Sequence, residues 1–110
     1  MSEETAPSAE DFENLSELHD MAAHAVELLK AMANEWRLMI LCHLGTGEKS
    51  VSALEDLLGM RQAAVSQMLA RLRDEDLVKT RRNGKTIYYS LKGESTTRVI
   101  GLLHELFCET

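Results

Sequence analysis

The sequence predicts a mainly α-helical domain with one small β-hairpin, and two observations support this fold class. Apolar residues recur at helical spacing along most of the chain, and after Leu77 the spacing changes to the period of two that strands show. The two strand-like runs, residues 78–82 and 86–91, flank Asn83-Gly84, which is a strong hairpin signal. The chain has 110 residues, of which 45% are hydrophobic and 27% charged, so one globular domain accounts for its length.

The first two helices follow from the spacing of apolar residues and from the residues that interrupt it. From Phe12 to Met32 apolar side chains recur every three or four residues, as on one face of an amphipathic helix. Asn34 breaks this pattern and is a good N-cap for a second helix, because its side chain accepts hydrogen bonds from first-turn N–H groups. Gly45 and Gly47 are expected to end that second helix.

Two further short helices precede the hairpin. Ser52-Ala53-Leu54-Glu55 has the form of a capping box, so a third helix is expected to begin there and to end at Gly59. A fourth helix follows within three residues, and its apolar stripe extends to Leu72. Two short helices joined by a tight glycine-containing turn form a helix-turn-helix, and a basic hairpin directly after it makes a winged helix-turn-helix. From Glu94 onward, helical spacing predicts a last helix.

Charge is distributed unevenly along the chain, whose formal net charge is −6. Residues 1–35 contain nine acids and one base, whereas residues 61–92 contain eight bases and three acids, a balance of +5. A basic segment within an acidic chain is typical of a surface that faces nucleic-acid phosphates. A merely solvated charged face is the alternative interpretation.

The winged-helix pattern indicates binding to double-stranded DNA. The second helix of such a motif enters the major groove, and the hairpin lies along neighbouring phosphates. Three polar side chains that can reach base edges stand near the start of that helix: Gln62, Ser66 and Gln67. The candidate contacts to the DNA backbone or minor groove are Arg71, Arg81, Arg82, Asn83 and Lys85. A winged helix that serves only as a protein-interaction module is an alternative from a different functional class.

Four stretches of the sequence carry a resemblance to a known family. They look like parts of the ArsR-type bacterial winged-helix repressors, and they are residues 31–41 (AMANEWRLMIL), residues 63–72 (AAVSQMLARL), Leu77-Val78 and Arg82-Asn83-Gly84-Lys85. The resemblance implies a homodimer that pairs through its first and last helices and binds operator DNA. It also implies release from DNA when an inducer binds or modifies cysteine or histidine sites. Arg61 and Met68 depart from the Ser and His that the family often has there.

The resemblance also allows the family's inducer sites to be tested against this sequence. Ser50-Val51-Ser52 stands where an arsenic-type site has Cys-x-Cys, and the last helix lacks the ligand pattern of a zinc-type site. What remains is Cys42 and Cys108, a pair that resembles the BigR/SqrR branch, whose members sense reactive sulfur species. Inert core thiols are one alternative for the two cysteines. A metal site that includes His43 and His104, and hence a metal-responsive repressor, is another.

A homodimer is expected from the residues as well, because the two end helices carry more apolar side chains than one small core needs. These are Phe12, Leu15 and Leu18 in the first helix and Val99, Ile100, Leu103 and Phe107 in the last. Two helix-turn-helix motifs related by a two-fold axis would fit half-sites about 34 Å apart.

The remaining expectations concern the tail, the location and the activity class. Residues 1–10 are expected to form a disordered acidic tail, and residues 11–110 a winged-helix domain for DNA binding and dimerisation. Acids near the N-terminus stand where a secretory signal needs positive charge, and no apolar run approaches the roughly 20 residues of a membrane span. The chain is therefore expected in the cytoplasm, without a membrane partner. No catalytic constellation or cofactor fingerprint stands out, so we expect neither an enzyme nor a bound cofactor.

Overall fold

The structure is a computed structural model and describes residues 15–108. Five helices and three short strands follow one another along the chain, and they are α1 Leu15–Met32, α2 Glu35–Leu44, β1 Lys49–Ser50, α3 Val51–Leu58, α4 Gln62–Asp74, β2 Val78–Asn83, β3 Thr86–Leu91 and α5 Glu94–Phe107. This order confirms the mainly helical winged helix-turn-helix. The acidic tail of residues 1–10 and the expected helix start at Phe12 lie outside the described residues.

The junction between α1 and α2 is held by two side chains. Asn34 caps α2 as predicted, because its Oδ1 accepts hydrogen bonds from the backbone N–H groups of Trp36 and Arg37, both at 3.0 Å. Arg37 in turn donates from Nε to the carbonyl of Ala31 at 2.7 Å and from Nη2 to the carbonyl of Lys30 at 3.2 Å. The last turn of α1 is thereby tied to the first turn of α2, which satisfies carbonyls that a helix end leaves without partners.

The predicted capping box at the start of α3 is wrong. The N-cap is Ser50, whose Oγ accepts a hydrogen bond from the N–H of Ala53 at 3.1 Å. Ser52 therefore lies inside the first turn and is exposed. The end of α3 is as predicted, since Gly59 adopts the left-handed conformation (φ 66°) that favours glycine at a helix C-terminus.

The wing is part of a three-stranded antiparallel sheet with the order β1-β3-β2. The hairpin of β2 and β3 is present, but its two-residue loop is Gly84-Lys85, one position later than predicted, because Asn83 still pairs with Thr86. Gly84 has φ 66° and Lys85 has no positive φ, which is the pattern of a type II′ turn. Strand β1 was not predicted; its Lys49 and Ser50 pair with Tyr89 and Tyr88.

The core lies between α2, α3, α4 and the base of the wing. Its largest fully buried side chains are Ile40, Leu41, Leu54, Val65, Leu69, Leu72 and Val78. The end helices contribute less to it and leave apolar side chains uncovered, with Leu29 58% exposed on α1 and Leu106 60% exposed on α5. Within residues 15–108 the structure contains no helix whose length and hydropathy would let it cross a membrane.

Candidate DNA interface and thiol site

Helix α4 divides into a buried face and an exposed face. Val65, Leu69 and Leu72 are buried in the core, and this fixes the orientation of the helix. The three predicted base-reading residues, Gln62, Ser66 and Gln67, are all exposed. The N-cap position is occupied by Arg61, which makes no side-chain capping bond. The packing of α4 therefore leaves its polar N-terminal half open to a macromolecular partner.

The cations predicted to contact the DNA backbone have different surroundings. Arg82 and Lys85 are exposed on the wing and make no ion pair with any residue between 15 and 108. Arg71, near the end of α4, forms an exposed ion pair with Glu75 (Nε to Oε2, 3.5 Å). Asn83 is exposed at the end of β2. Among the cations predicted to contact the DNA backbone, Arg82 and Lys85 therefore carry charge near the tip of the wing that is unpaired within residues 15–108.

Arg81 differs from its neighbours, because its charge is already paired. Its Nε donates to Glu48 Oε2 at 3.2 Å, and its Nη2 donates to Glu48 Oε1. The guanidinium also lies 4.9 Å from the centre of the Tyr88 ring. The hydrogen bond from Arg81 lowers the pKa of Glu48, and the same bond raises the pKa of Arg81. The sequence contains no signal for this pair, whose members are 33 positions apart.

A second ion pair closes the base of the wing. Lys92 Nζ donates to Asp76 Oδ1 at 2.6 Å, and the Lys92 backbone N–H donates to the carbonyl of Leu77 at 2.9 Å. Asp76 has φ 67°, and it is the one non-glycine residue among those described with a positive φ. Asp tolerates this left-handed conformation better than most residues do. These contacts fix the chain where it leaves α4 and where it leaves β3.

The two cysteines lie on helices that pack against each other. Cys42 is in the last turns of α2 and is half-buried, whereas Cys108 follows the last residue of α5 and is exposed. Both are free thiols. Thr97, Gly101, His104 and Cys108 are spaced by four, three and four residues, so they share one face of α5. Leu102, on a different face of α5, is 50% exposed.

A cavity of about 290 Å³ lies between α2, β3 and this face of α5, and its lining includes Cys42, Thr46, Leu91, Ile100, Gly101 and His104. Gly45 also lines the cavity, and a Cβ there would lie 3.2 Å from the Cys42 carbonyl oxygen and 3.4 Å from Ile100 Cγ2, so its tighter contact is with the backbone of α2 itself. Cys42 therefore lines a partly open cavity between α2 and α5.

The surroundings of Cys42 disfavour its thiolate. Burial raises the pKa of the Cys42 thiol, and the charge of the Cys108 thiolate raises it further. Cys42 also lies near the C-terminus of α2, where the helix dipole does not stabilise an anion. The exposed Cys108 is therefore the thiol that a reagent in solution reaches more readily.

The histidines considered with the cysteines do not form a cluster with them. Within residues 15–108 no three His, Cys, Asp or Glu side chains come together in a way that could hold a metal ion. His104 lines the cavity beside Cys42, whereas His43 does not line it.

The chain is similar to bacterial regulatory proteins of known sequence. The family described as "Bacterial regulatory protein, arsR family" matches residues 34–80. The chain is 48% identical to the transcriptional activator HlyU of Vibrio cholerae over 96 residues, which covers 87% of this chain and 89% of that protein.

Solved structures of similar proteins have the same fold. Reduced HlyU from Vibrio cholerae superposes with a TM-score of 0.82 at 47% identity, covering 84% of this chain and 98% of that one. The transcriptional repressor BigR from Xylella fastidiosa superposes with a TM-score of 0.78 at 35% identity, covering 88% of this chain and 99% of that one.

Proposed function

The chain belongs to the ArsR family of bacterial regulatory proteins, and from that premise we propose a homodimeric repressor that oxidation of Cys42 and Cys108 releases from its operator. It is a DNA-binding transcriptional regulator and not an enzyme. The observation that carries the proposal is the placement of the two thiols, with Cys42 in the cavity under α5 and Cys108 at the end of that helix. The proposed inducer is a reactive sulfur species, either a persulfide or a polysulfide.

Operator binding is assigned to the exposed polar face of α4 and to the wing tip. In this proposal Gln62, Ser66 and Gln67 contact base edges in the major groove, because amide and hydroxyl groups can hydrogen-bond there. The proposed backbone contacts are Arg71, Arg82, Asn83 and Lys85. Arg81, which the sequence places in the same group, is instead paired with Glu48.

The proposed dimer pairs the end helices of two chains, within a domain that runs from residue 11 to residue 110. The apolar side chains Leu29 on α1 and Leu102 and Leu106 on α5 are at least half exposed in one chain. Patches of this kind on a small regulator are characteristic of interfaces between subunits. Two copies related by a two-fold axis bring two α4 helices to half-sites about one helical turn apart.

The sulfur chemistry needs no reactant besides the inducer. The Cys108 thiolate attacks the outer sulfur of a persulfide RSSH, forming a Cys108 persulfide and releasing the thiol RSH. The Cys42 thiolate then attacks the Cys108 sulfur, forming the Cys42–Cys108 disulfide and releasing hydrogen sulfide. Two thiols lose two electrons in total, and the added persulfide is reduced. Attack by Cys108 first follows from its exposure and from the raised pKa of Cys42.

The proposed consequence for DNA follows from what α2 contacts. Helix α2 packs against α3 and α4, and α5 is part of the proposed dimer interface. A covalent link between α2 and α5 would fix the DNA-binding unit relative to that interface. Two α4 helices must match two half-sites at the same time, so a change in the distance between these helices would cost contacts with DNA. A loss of about 1.4 kcal/mol of binding free energy is already a tenfold loss of affinity.

The direction of regulation is part of the proposal. HlyU is named an activator and BigR a repressor, so the names of the relatives do not agree on it. We propose repression, because occupation of a promoter by a dimer requires no surface beyond the DNA interface already assigned. An in vitro transcription assay on a promoter that contains the operator tests this point. More transcript when the protein is added with both thiols reduced would contradict repression.

The release mechanism is tested with Cys42→Ser and Cys108→Ser variants. Operator duplex is first selected from a random-sequence pool with reduced protein, and its affinity is then measured by fluorescence anisotropy before and after treatment with a persulfide donor. We expect the wild type to lose affinity at least tenfold and to recover with reductant, and both variants to bind but not to respond. Intact mass should fall by two hydrogens on disulfide formation.

Three outcomes of this experiment would contradict the proposal. A variant that responds like the wild type would show that one thiol suffices. Release by micromolar zinc but not by persulfide would favour the metal-responsive alternative. A wild type with no salt-dependent affinity for any duplex would favour a protein-interaction module.

A further inference from the structure

The contact between Arg81 and Glu48 connects the outer strand β2 to the residue just before the other outer strand, β1, across the middle strand β3. Arg81 is in β2 and pairs in register with Tyr88 in β3. Glu48 immediately precedes β1, whose Ser50 also pairs with Tyr88. Since β1 and β2 do not neighbour each other, the Arg81 side chain passes over the Tyr88 ring to reach Glu48.

The geometry of this contact is specific. Two guanidinium nitrogens of Arg81 each donate to a different carboxylate oxygen of Glu48, and Tyr88 supports the guanidinium from below. Paired hydrogen bonds of this kind define the direction of the side chain as well as its distance. Arg82 offers the contrast, because it pairs in register with Ile87 and so lies on the opposite face, without an ion-pair partner among residues 15–108.

The position of Glu48 connects the contact to the helix-turn-helix. Only Lys49 separates Glu48 from Ser50, and the Ser50 side chain caps α3. The Lys49 Nζ donates to Thr46 Oγ1 at 2.9 Å and to the Gly47 carbonyl at 3.0 Å. These bonds, together with the contact of Glu48 with Arg81, hold the segment before α3 in place. A residue bonded to Glu48 is therefore held relative to the start of α3.

We propose that Arg81 is a positioning residue, which with Glu48 and Tyr88 forms a brace that sets the wing relative to the helix-turn-helix. Arg82 and Lys85 then meet the DNA backbone, and Arg81 does not. The proposal rests on the DNA interface assigned above, and it changes the role of one residue that sequence alone groups with the phosphate ligands.

The alternative is that phosphate displaces Glu48 and binds Arg81 directly. The two roles predict opposite signs for one substitution. If Glu48 merely competes with DNA for Arg81, Glu48→Gln frees a cation, removes an anion and tightens operator binding. If Glu48 holds the brace, the same substitution weakens operator binding although the protein becomes less negative.

The test measures operator affinity across a salt series for Arg81→Gln, Glu48→Gln and the double variant, with Arg82→Gln as the matched control. A lost phosphate contact makes the slope of log K against log salt less steep by about 0.9 per contact, hence by about 1.8 for both subunits of a dimer. We expect that change for Arg82→Gln. For Arg81→Gln and Glu48→Gln we expect an unchanged slope and a loss of up to about fivefold, the upper range for an exposed ion pair.

The double variant and a spectroscopic measurement complete the test. The double variant should bind as weakly as either single variant, because each already breaks the brace. In NMR spectra, the Arg81 Nε–H resonance should be displaced by the Tyr88 ring, should move in Glu48→Gln, and should stay in place when operator is added to the wild type.

Tighter binding by Glu48→Gln, or a slope change for Arg81→Gln equal to that for Arg82→Gln, would overturn the brace. So would an Arg81 resonance that moves when DNA is added. A salt slope for Arg82→Gln equal to that of the wild type would instead contradict the contact between the wing and DNA in the proposed function. The response of the Arg81 resonance to Glu48→Gln would still decide whether the brace exists.

Discussion

Two glycines at the cavity between α2 and α5 should respond differently to an added methyl group. Gly101 lies inside α5, and a Cβ there would meet no other heavy atom within 4 Å. Glycine inside a helix costs about 0.8–1.0 kcal/mol relative to alanine. Nothing in the structure opposes that gain, so Gly101→Ala should stabilise the protein by roughly 0.5–1 kcal/mol.

Gly45 is the matched control, because its backbone does not require glycine (φ −64°) but an added Cβ would make a close contact there. A Cβ would lie 3.2 Å from the Cys42 carbonyl oxygen, which belongs to the helix backbone and cannot move away cheaply. The usual gain of about 0.4–1 kcal/mol from a stiffer unfolded chain is therefore cancelled or exceeded by the contact. We expect Gly45→Ala to be neutral to destabilising, so its stability should be roughly 0.5–1 kcal/mol or more below that of Gly101→Ala.

Urea unfolding of the reduced protein measures both variants, followed by Trp36 fluorescence and by circular dichroism at one fixed protein concentration. The concentration is fixed because the proposed dimerisation would couple to stability. With m near 1–3 kcal/mol/M, a difference of about 1 kcal/mol separates the midpoints by roughly 0.3–1 M. Destabilisation by Gly101→Ala would refute the open space described beside that residue, and equal shifts for the two variants would refute the close contact described at Gly45.

Three further predictions concern the thiols, the dimer and a helix cap. In single-cysteine variants, iodoacetamide should alkylate Cys108 faster than Cys42 at pH 7. The pH at which the alkylation rate of Cys42 reaches half its maximum should lie above that of an ordinary thiol, because burial raises the pKa of Cys42. A midpoint at or below the ordinary value would contradict this. Leu102→Glu should give a monomer mass in light scattering and lose operator binding, and an intact dimer would refute the assigned interface. Asn34→Ala should lower the free energy of unfolding by about 1 kcal/mol and Asn34→Ser by much less, so equal losses would argue against the cap.

The helical part of the fold was predictable because its signals are local. Asn34 caps α2 through N–H groups two and three residues away, and Gly59 ends α3 with its own backbone conformation. The start of α3 was not predictable in the same way. Ser52 has Glu55 three residues later, as a capping box requires, but pairing of Ser50 with Tyr88 extends the backbone at Ser50 and makes that residue the cap.

The candidate site was predictable in its residue types and less so in its contacts. The exposure of Gln62 and Gln67 follows from the apolar stripe of α4, which the sequence contains. The Arg81–Glu48 pair depends on strand order, because the two residues meet only once β1 has joined β3, and β1 has two residues and no detectable pattern. The difference in burial between Cys42 and Cys108 likewise arises from how α5 lies on α2.

The core is formed mainly by α2, α3, α4 and β2, while α1 and α5 carry exposed apolar side chains, and this separation has an evolutionary consequence. The fully buried side chains belong to α2, α3, α4 and β2, apart from Ala31 at the end of α1. In the proposed dimer, substitutions at exposed positions such as Leu29 or Leu106 would alter which chains can pair, yet they would leave the packing of α2, α3 and α4 unchanged. After gene duplication, two copies could therefore become insulated from each other through a few changes on α1 and α5, so that each would form its own dimer before their operators had diverged.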